Sequence, residues 1–185
     1  MNADVTTAGS VAIQSMADCD DLAVQAFVGK VPVHDLLFLD RDIREPKVLA
    51  AWRRAIEQGA VHSLVAIADG EIVATTAVIR DPLSWSAHVA DVRLLVSPES
   101  RGKGVGRALL EATIDHAIAQ GATKLTARMT PDQRGAITLF EESGSVARPS
   151  CATRSAIRTA DCTILRCSRW MSLGKMRARG RLLTE

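Results

Sequence analysis

The sequence contains no tyrosine, and only three phenylalanines and three tryptophans stand among its 185 residues. A phenolic hydroxyl is therefore excluded as a proton donor in whatever chemistry the chain performs. Cysteine is scarce too: Cys19 stands alone, and Cys151, Cys162 and Cys167 fall in one late segment. Their spacings match no zinc pattern that pairs cysteines two to four residues apart, so they read as free thiols and no metal is expected. No uninterrupted apolar run approaches the roughly 18 to 20 residues that span a bilayer, which argues against a membrane protein. The opening MNADVTTAGS lacks the basic start and apolar stretch of a secretory leader, so a cytoplasmic protein is expected. Neither sign of charge dominates, with 23 Lys and Arg against 21 Asp and Glu. That balance argues against a dedicated nucleic-acid partner. At this length one domain can close a core without covalent or metal staples.

What is present is a succession of strand and helix patterns. Residues 10–16 (SVAIQSM) predict a short strand. Asp18 or Asp20 can then cap a helix reaching Gly29. Pro46 suits a first helical turn, and KVLAAWRRAIEQ follows as a helix to Gly59, with Val48, Leu49, Trp52, Ala55 and Ile56 on its apolar face. HSLVAIA and EIVATTAVI are apolar, β-branched runs separated by Asp69-Gly70, a dipeptide suited to a tight hairpin turn. AHVADVRLLV predicts another strand, ended by Ser97-Pro98. The period then becomes helical: GVGRALLEATIDHAIAQG places Leu109, Leu110, Ile114, Ala117 and Ile118 largely on one face. KLTARM follows as a strand, and DQRGAITLFEES as a helix that stops at Gly144. Such alternation predicts a mixed sheet flanked by helices, of the α/β or α+β class.

The informative stretch is Ser97-Pro98-Glu99-Ser100-Arg101-Gly102-Lys103-Gly104-Val105-Gly106-Arg107, between a strand and a helix. Alternating glycines let successive backbone N–H groups converge on one point, and the helix that follows adds its positive end, so a phosphate or pyrophosphate is favoured there. Arg101, Lys103 and Arg107 add cationic charge. A Walker loop would place Ser or Thr after its lysine, whereas Lys103 is followed by Gly104. A dinucleotide fold would place its glycines after the first strand of a βαβ unit, not after a hairpin and a further strand. A merely solvated connection would need one special-φ glycine rather than three alternating ones.

Arg101-x-x-Gly104-x-Gly106, preceded by the strand end LLVSP, resembles the coenzyme A motif of the GNAT N-acetyltransferase superfamily, and the likeness in element order runs over residues 10–144. The resemblance implies a mixed sheet with flanking helices, acetyl-CoA as cosubstrate, and direct transfer of the acetyl group to a primary amine of a small molecule or peptide. It also implies that Arg101, Gly102, Lys103, Gly104, Val105, Gly106 and Arg107 hold the pyrophosphate, and that Leu94, Leu95 and Val96 run along the pantetheine arm. Gln133 stands where the family often has an asparagine. Phe140 stands where it usually has a tyrosine that protonates the departing thiolate. Phenylalanine cannot donate, so water or another group must take that role, or the thiolate leaves unassisted. A coenzyme A-binding protein with impaired catalysis is the alternative. The segment after Val33-His34-Asp35 and the loop around Ser84-Trp85-Ser86 are expected, by resemblance, to border the acceptor, and a homodimer is possible.

Acetyl transfer needs a neutral amine, and so a base. Asp91, on the strand that leads to the loop, is the first candidate, with a salt-bridged structural role as its rival. His88, with an unperturbed pKa suited to the task, is the second. His34, His62 and His116 read as ordinary surface or helix residues.

The chain is thus read as a tail at 1–9, an N-acetyltransferase domain at 10–172, and a basic tail at 173–185. Within the domain, residues 145–172 (SVARPSCATRSAIRTADCTILRCSRWMS) are atypical, lacking a period-two pattern to bury a strand face. Read from one nucleotide earlier with permissible codons, the stretch becomes FRGPTVVRDAVRDPDGRLHDLAVLSLDV, a β-hairpin in form. Two compensating frameshifts, near Gly144 and near Leu173, are one reading; a genuinely divergent basic segment is the other. In the second case the final two strands are doubtful and KLTARM is left as an exposed edge.

Overall fold

The computed structural model describes residues 6–8, 11–36, 39, 41–129, 132–149 and 163–167. In order these form β1 (Thr6–Ala8), β2 (Val11–Ser15), α1 (Asp21–Lys30), α2 (Val33–Leu36), α3 (Pro46–Glu57), β3 (Val61–Ala68), β4 (Glu71–Ile79), β5 (Val89–Val96), α4 (Val105–Ala119), β6 (Lys124–Met129), α5 (Arg134–Glu142), β7 (Ser145–Pro149) and β8 (Thr163–Cys167). Pro46 opens α3, and Gly59 beyond its end takes positive φ. Asp69 and Gly70 both adopt positive φ, the backbone of a primed two-residue turn, and they join β3 to β4. The side-chain pattern thus became structure where the turn residues demanded it.

The strands form one sheet in the order β1-β2-β3-β4-β5-β6-β8-β7. Neighbours are antiparallel except β5 and β6, which run parallel and therefore need a crossover; α4 supplies it. Strand alternation sorts the two faces. Val65, Ile72 and Leu95 turn toward α1 and α3, where Phe27, Val28 and Leu49 complete a buried cluster. Val78, Ala90, Val92, Leu125 and Ala127 face the opposite side, closed by Leu110, Ala117 and Phe140 of α4 and α5. The polar groups in the second interface are matched: Thr113 Oγ1 lies 2.8 Å from Thr76 Oγ1 and 2.7 Å from the Leu109 carbonyl it donates to. That pair fixes the register of α4 on β4 at little desolvation cost.

One feature of the sheet prepares a site. β5 pairs with β6 only at Val89↔Lys124, Ala90↔Leu125 and Asp91↔Thr126, while on its other edge it stays paired with β4 as far as Val96↔Ala74. From Val92 onward, therefore, no strand among the described residues pairs with the edge of β5 that faces β6.

Several expectations are corrected. Gly29 does not stop α1; it lies inside the helix, which ends at Lys30 with Val31 as its cap, before Pro32. Ile118 is 43% exposed rather than part of the buried face of α4, because the inward stripe runs through Val105, Leu109, Thr113 and Ala117. β6 is not an edge strand: β8 pairs along it from Leu125↔Cys167 to Met129↔Thr163, and β7 lies outside β8. Two final strands thus exist even with the residues as they stand. The rest of the atypical segment and the basic tail at 173–185 lie outside the described residues, as do most of 1–9. Among the described residues no helix is long and apolar enough to cross a membrane, and no group of His, Cys, Asp or Glu could hold a metal ion.

Candidate active site

Where β5 parts from β6, a cleft of ≈ 680 Å³ opens between the end of β5, the start of α4 and one face of α5. Leu94 and Val96 form its floor, Gly102, Gly104 and Gly106 one rim, and Gln133, Ala136 and Leu139 the other. The loop owes its path to two glycines. Gly102 (φ 72°) and Gly104 (φ 81°) both occupy the left-handed region, Gly104 as the residue that caps α4. Gly106 serves a different need: a Cβ there would lie 3.3 Å from Val96 Cγ2 and 3.4 Å from Leu139 Cδ2, so its absence lets the first turn of α4 close onto β5 and α5.

The amides on this loop are left over. α4 begins its own hydrogen bonding with Arg107 N and Ala108 N, both donating to the Gly104 carbonyl at 3.1 Å. Among the described residues, the N–H groups of Gly102, Lys103, Gly104, Val105 and Gly106 meet no acceptor. Converging unpaired donors at a helix N-terminus form an anion cradle. Beside them runs the edge of β5 that faces β6, whose alternate N–H and C=O groups can pair with an extended amide-bearing chain. The arrangement fits a ligand with a pyrophosphate at one end and a long amide arm.

The cations expected to serve that anion are deployed differently. Arg101 turns inward: its Nη2 donates to Asp35 Oδ2 at 2.6 Å, and its Nε and Nη2 donate to the Val96 carbonyl at 3.2 Å. Arg107 pairs with Glu142 of α5. Lys103 is exposed, with no ion pair among the described residues. Arg101 and Arg107 thus brace the cleft walls.

Asp35 is the residue that sequence reasoning missed. Only 8% exposed, it accepts from Arg101 and also from Gln133 Nε2 at 3.2 Å, so α2 ties the glycine loop to the N-terminus of α5. His34 next to it lies 2.6 Å, Nε2 to Oδ2, from Asp132, adding a second link at the surface. The signal was present: Asp35 is a lone acid within the apolar run VPVHDLLFL, and a buried carboxylate needs partners. Four-residue α2 was too short to show a period.

The remaining candidates spread more widely. Leu95 alternates away from Leu94 and Val96 and enters the cluster under α1 and α3. Val105 is buried against Ile13, Ala66 and Leu109. Phe140 is 4% exposed, packed with Val78, Ala90 and Met129, and not on the cleft. Asp91 lies at the point where β5 and β6 diverge: its Oδ2 accepts from Arg93 Nε and Arg128 Nη2, each at 3.3 Å, and its Oδ1 from Thr126 Oγ1 at 3.3 Å. His88 precedes β5, where its carbonyl accepts from Thr123 N and Lys124 N; at a strand rise of about 3.3 Å per residue it is roughly 26 Å from the Val96 end. Trp85 is fully exposed, and neither 33–35 nor 84–86 lines the apolar cavity beneath α3. His62 and His116 are not separate surface residues: their rings stack at 3.3 Å, and burial, then the neighbouring ring, lowers His62 to about 4, while burial lowers His116.

Comparison with known proteins agrees with the geometry. Residues 31–144 match the acetyltransferase (GNAT) family. N-acetyltransferase 8 of Rattus norvegicus is 34% identical over 82 residues, a match that covers 43% of this chain and only 37% of the rat protein. Among solved structures, yncA of Salmonella typhimurium, with its cofactor acetyl-CoA, superposes with a TM-score of 0.68 at 20% identity over 85% of this chain and 93% of that one. The ribosomal-protein-S5-alanine acetyltransferase of Vibrio fischeri superposes with a TM-score of 0.72 at 15% identity, over 91% and 99%. At such identities the superpositions establish the fold, and the family match completes the assignment: this chain belongs to the GNAT acetyltransferase family.

Proposed function

We propose that the chain binds acetyl-CoA in the cleft between β5, α4 and α5 and transfers the acetyl group directly to a primary amine. The observation that carries this reading is the meeting, at one place, of the unpaired amides of 102–106 with the β6-facing edge of β5 beyond Asp91. The amides would hold the pyrophosphate and that strand edge the pantetheine arm; when bound, the group supplies a thioester activated toward nucleophiles. Gly106 and Leu139 keep the cleft narrow, and Asp35 holds Arg101 and Gln133 so that its two walls stay in register.

In the transfer a C–N bond forms at the acetyl carbon, the C–S bond breaks, and the amine gives up a proton. Asp91 is the proposed acceptor of that proton through water. Its Oδ1 is met only by the Thr126 hydroxyl among the described residues and keeps a lone pair for a water, while Arg93 and Arg128 orient the carboxylate through Oδ2. His88, remote from the Val96 end of the strand, has no part in this reading. Phe140 is committed to the core, so the thiolate takes its proton from water. A second reading, binding without turnover, is favoured by that same missing donor. Thiol release from acetyl-CoA over a panel of amines decides between the two: turnover that falls at least tenfold in Asp91→Asn, with acetyl-CoA affinity retained, supports transfer. Saturable binding with no thiol release for any amine would leave the second reading.

A further inference from the structure

Where along β5 an extended arm can pair depends on which backbone groups face β6. Ser97 N donates to the Val73 carbonyl at 2.9 Å, so Ser97 turns its N–H and C=O toward β4. In an antiparallel ladder opposed residues alternate between hydrogen-bonded and open pairs. With Val96↔Ala74 and Leu94↔Thr76 in register, Leu95 and Arg93 therefore face β4 as Ser97 does, whereas Val92, Leu94 and Val96 turn their N–H and C=O groups the other way. β6 pairs with β5 only as far as Asp91↔Thr126. Leu94 and Val96, which floor the cleft, thus each turn one donor and one acceptor toward a ligand there.

The two residues are not equivalent. Arg101 donates to the Val96 carbonyl through both Nε and Nη2, each at 3.2 Å. A carbonyl oxygen has two lone pairs, so that acceptor is filled. The guanidinium is held in place from behind: Nη2 also donates to Asp35 Oδ2 at 2.6 Å, and the buried Asp35 accepts from Gln133 Nε2 through its other oxygen. A planar guanidinium serves a carbonyl and a carboxylate at once in fixed directions, which a single-point cation does not. Among the described residues no such side chain meets the Leu94 carbonyl.

Resting on the acetyl-CoA reading, we infer that Arg101 is a positioning residue that fixes the register of the pantetheine arm on β5. With the Val96 carbonyl filled, an amide of the arm makes its two-bond pairing at Leu94 and not at Val96, and Asp35 acts through Arg101. The step between these pairings is two residues, about 6.6 Å at a rise of about 3.3 Å per residue. Pairing at Val96 would draw the thioester back from Asp91 by that distance, leaving the cofactor bound but out of reach of the base. A direct ion pair between Arg101 and the pyrophosphate is the rival role, and the two give different results.

Amide exchange with solvent, followed by NMR on the 15N-labelled full-length chain with saturating coenzyme A, reads the register without any turnover. The Leu94 N–H is expected to exchange at least about tenfold more slowly on binding, and the Val96 N–H to change less than about threefold. In Arg101→Gln the protection spreads to Val96, as it does in the milder Asp35→Asn, which keeps an acceptor for Gln133. Arg101→Lys, which retains a donor for the Val96 carbonyl, returns protection to Leu94. Calorimetry with ADP, which has the pyrophosphate and no arm, is expected to give affinities within about threefold for wild type and Arg101→Gln, because a lost charge-assisted bond would cost more. In thiol release from acetyl-CoA, Arg101→Gln lowers kcat at least about tenfold with KM for acetyl-CoA nearly unchanged. Adding Asp35→Asn to that variant lowers kcat no further. Equal protection of Val96 and Leu94 in the wild-type complex, or an unchanged pattern in Arg101→Gln with the loss appearing in ADP affinity instead, overturns the positioning role and leaves the acetyl-CoA reading standing. Failure of the folded wild-type chain to bind coenzyme A overturns that reading, and this inference with it.

Discussion

Gly104 and Gly106, two residues apart but serving different needs, allow the cofactor loop to be tested in depth. Gly104 has φ 81° and open space where a Cβ would be, so Gly104→Ala meets no clash and suffers only the left-handed backbone penalty of roughly 1–2 kcal/mol. Part of that is offset, by about 0.4–1 kcal/mol, because alanine also restricts the unfolded chain. The net loss of stability is on the order of 1 kcal/mol. Gly106 has ordinary helical backbone, and Gly106→Ala gains up to about 1 kcal/mol in helix propensity. Its methyl would sit 3.3 Å from Val96 Cγ2 and 3.4 Å from Leu139 Cδ2, and rotating those side chains aside costs about 0.5–1.5 kcal/mol. The two effects nearly cancel, so stability is expected to stay within about 0.5 kcal/mol of wild type. Acetyl-CoA affinity should nevertheless fall about tenfold or more in both variants: in the first because the amides are re-aimed, in the second because the methyl narrows the floor between Leu94 and Val96. Urea denaturation and calorimetric titration on the same samples read the two quantities separately. Equal stability losses in the two variants, or wild-type affinity in Gly106→Ala, would refute this reasoning.

Three further outcomes follow from other parts of the molecule. Asp35→Ala leaves Arg101 and Gln133 without their shared acceptor, and is expected to lower stability by about 1–3 kcal/mol and acetyl-CoA affinity severalfold; a change in neither, by thermal melting and calorimetry, would remove α2 from the site. The stacked pair His62 and His116 is neutral when folded, whereas the unfolded chain takes up protons near 6.5; stability is therefore full above that value and falls as pH drops toward about 4. Allowing for solvent screening of partly exposed rings, the loss is on the order of 1–2 kcal/mol, and the drop in denaturation midpoint between pH 7 and pH 5 should shrink in His116→Gln. Finally, resequencing the coding DNA tests the frame across 145–172, and a chain carrying the hairpin reading is expected to be more soluble and more stable to denaturant than the one with the present residues.

Much of the fold was legible because turn chemistry and period agreed. Asp69-Gly70, Pro46 and Gly121 each punctuated an element where the structure has its boundary. The glycine loop was legible for the same reason, since Gly102, Gly104 and Gly106 have no role in a plain strand-to-helix connection. What escaped was side-chain direction. Alternation along β5 parts Leu95 from Leu94 and Val96, and the 100° step along α5 parts Phe140 from Leu139. Both follow from local geometry once the element is known. Long-range partners were not readable: Asp35 meets Arg101 and Gln133 from 66 and 98 residues away, and His62 meets His116 across two elements. Ion pairs such as Arg101–Asp35 and Arg107–Glu142 tie two of the loop's cations to neighbouring elements, which charge counting along the loop could not reveal. The pairing of β8 with β6 likewise came from the sheet's demand for a neighbour rather than from any alternation in the segment.

The central claim is that the loop at 101–107 with the β6-facing edge of β5 holds acetyl-CoA. Isothermal titration of acetyl-CoA into the purified chain, beside a Gly104→Trp variant shown to be folded by circular dichroism, tests it most directly. Saturable binding by the wild-type chain and its loss in the variant is the predicted result; no binding by the folded wild-type chain, or undiminished binding by the variant, would contradict the account.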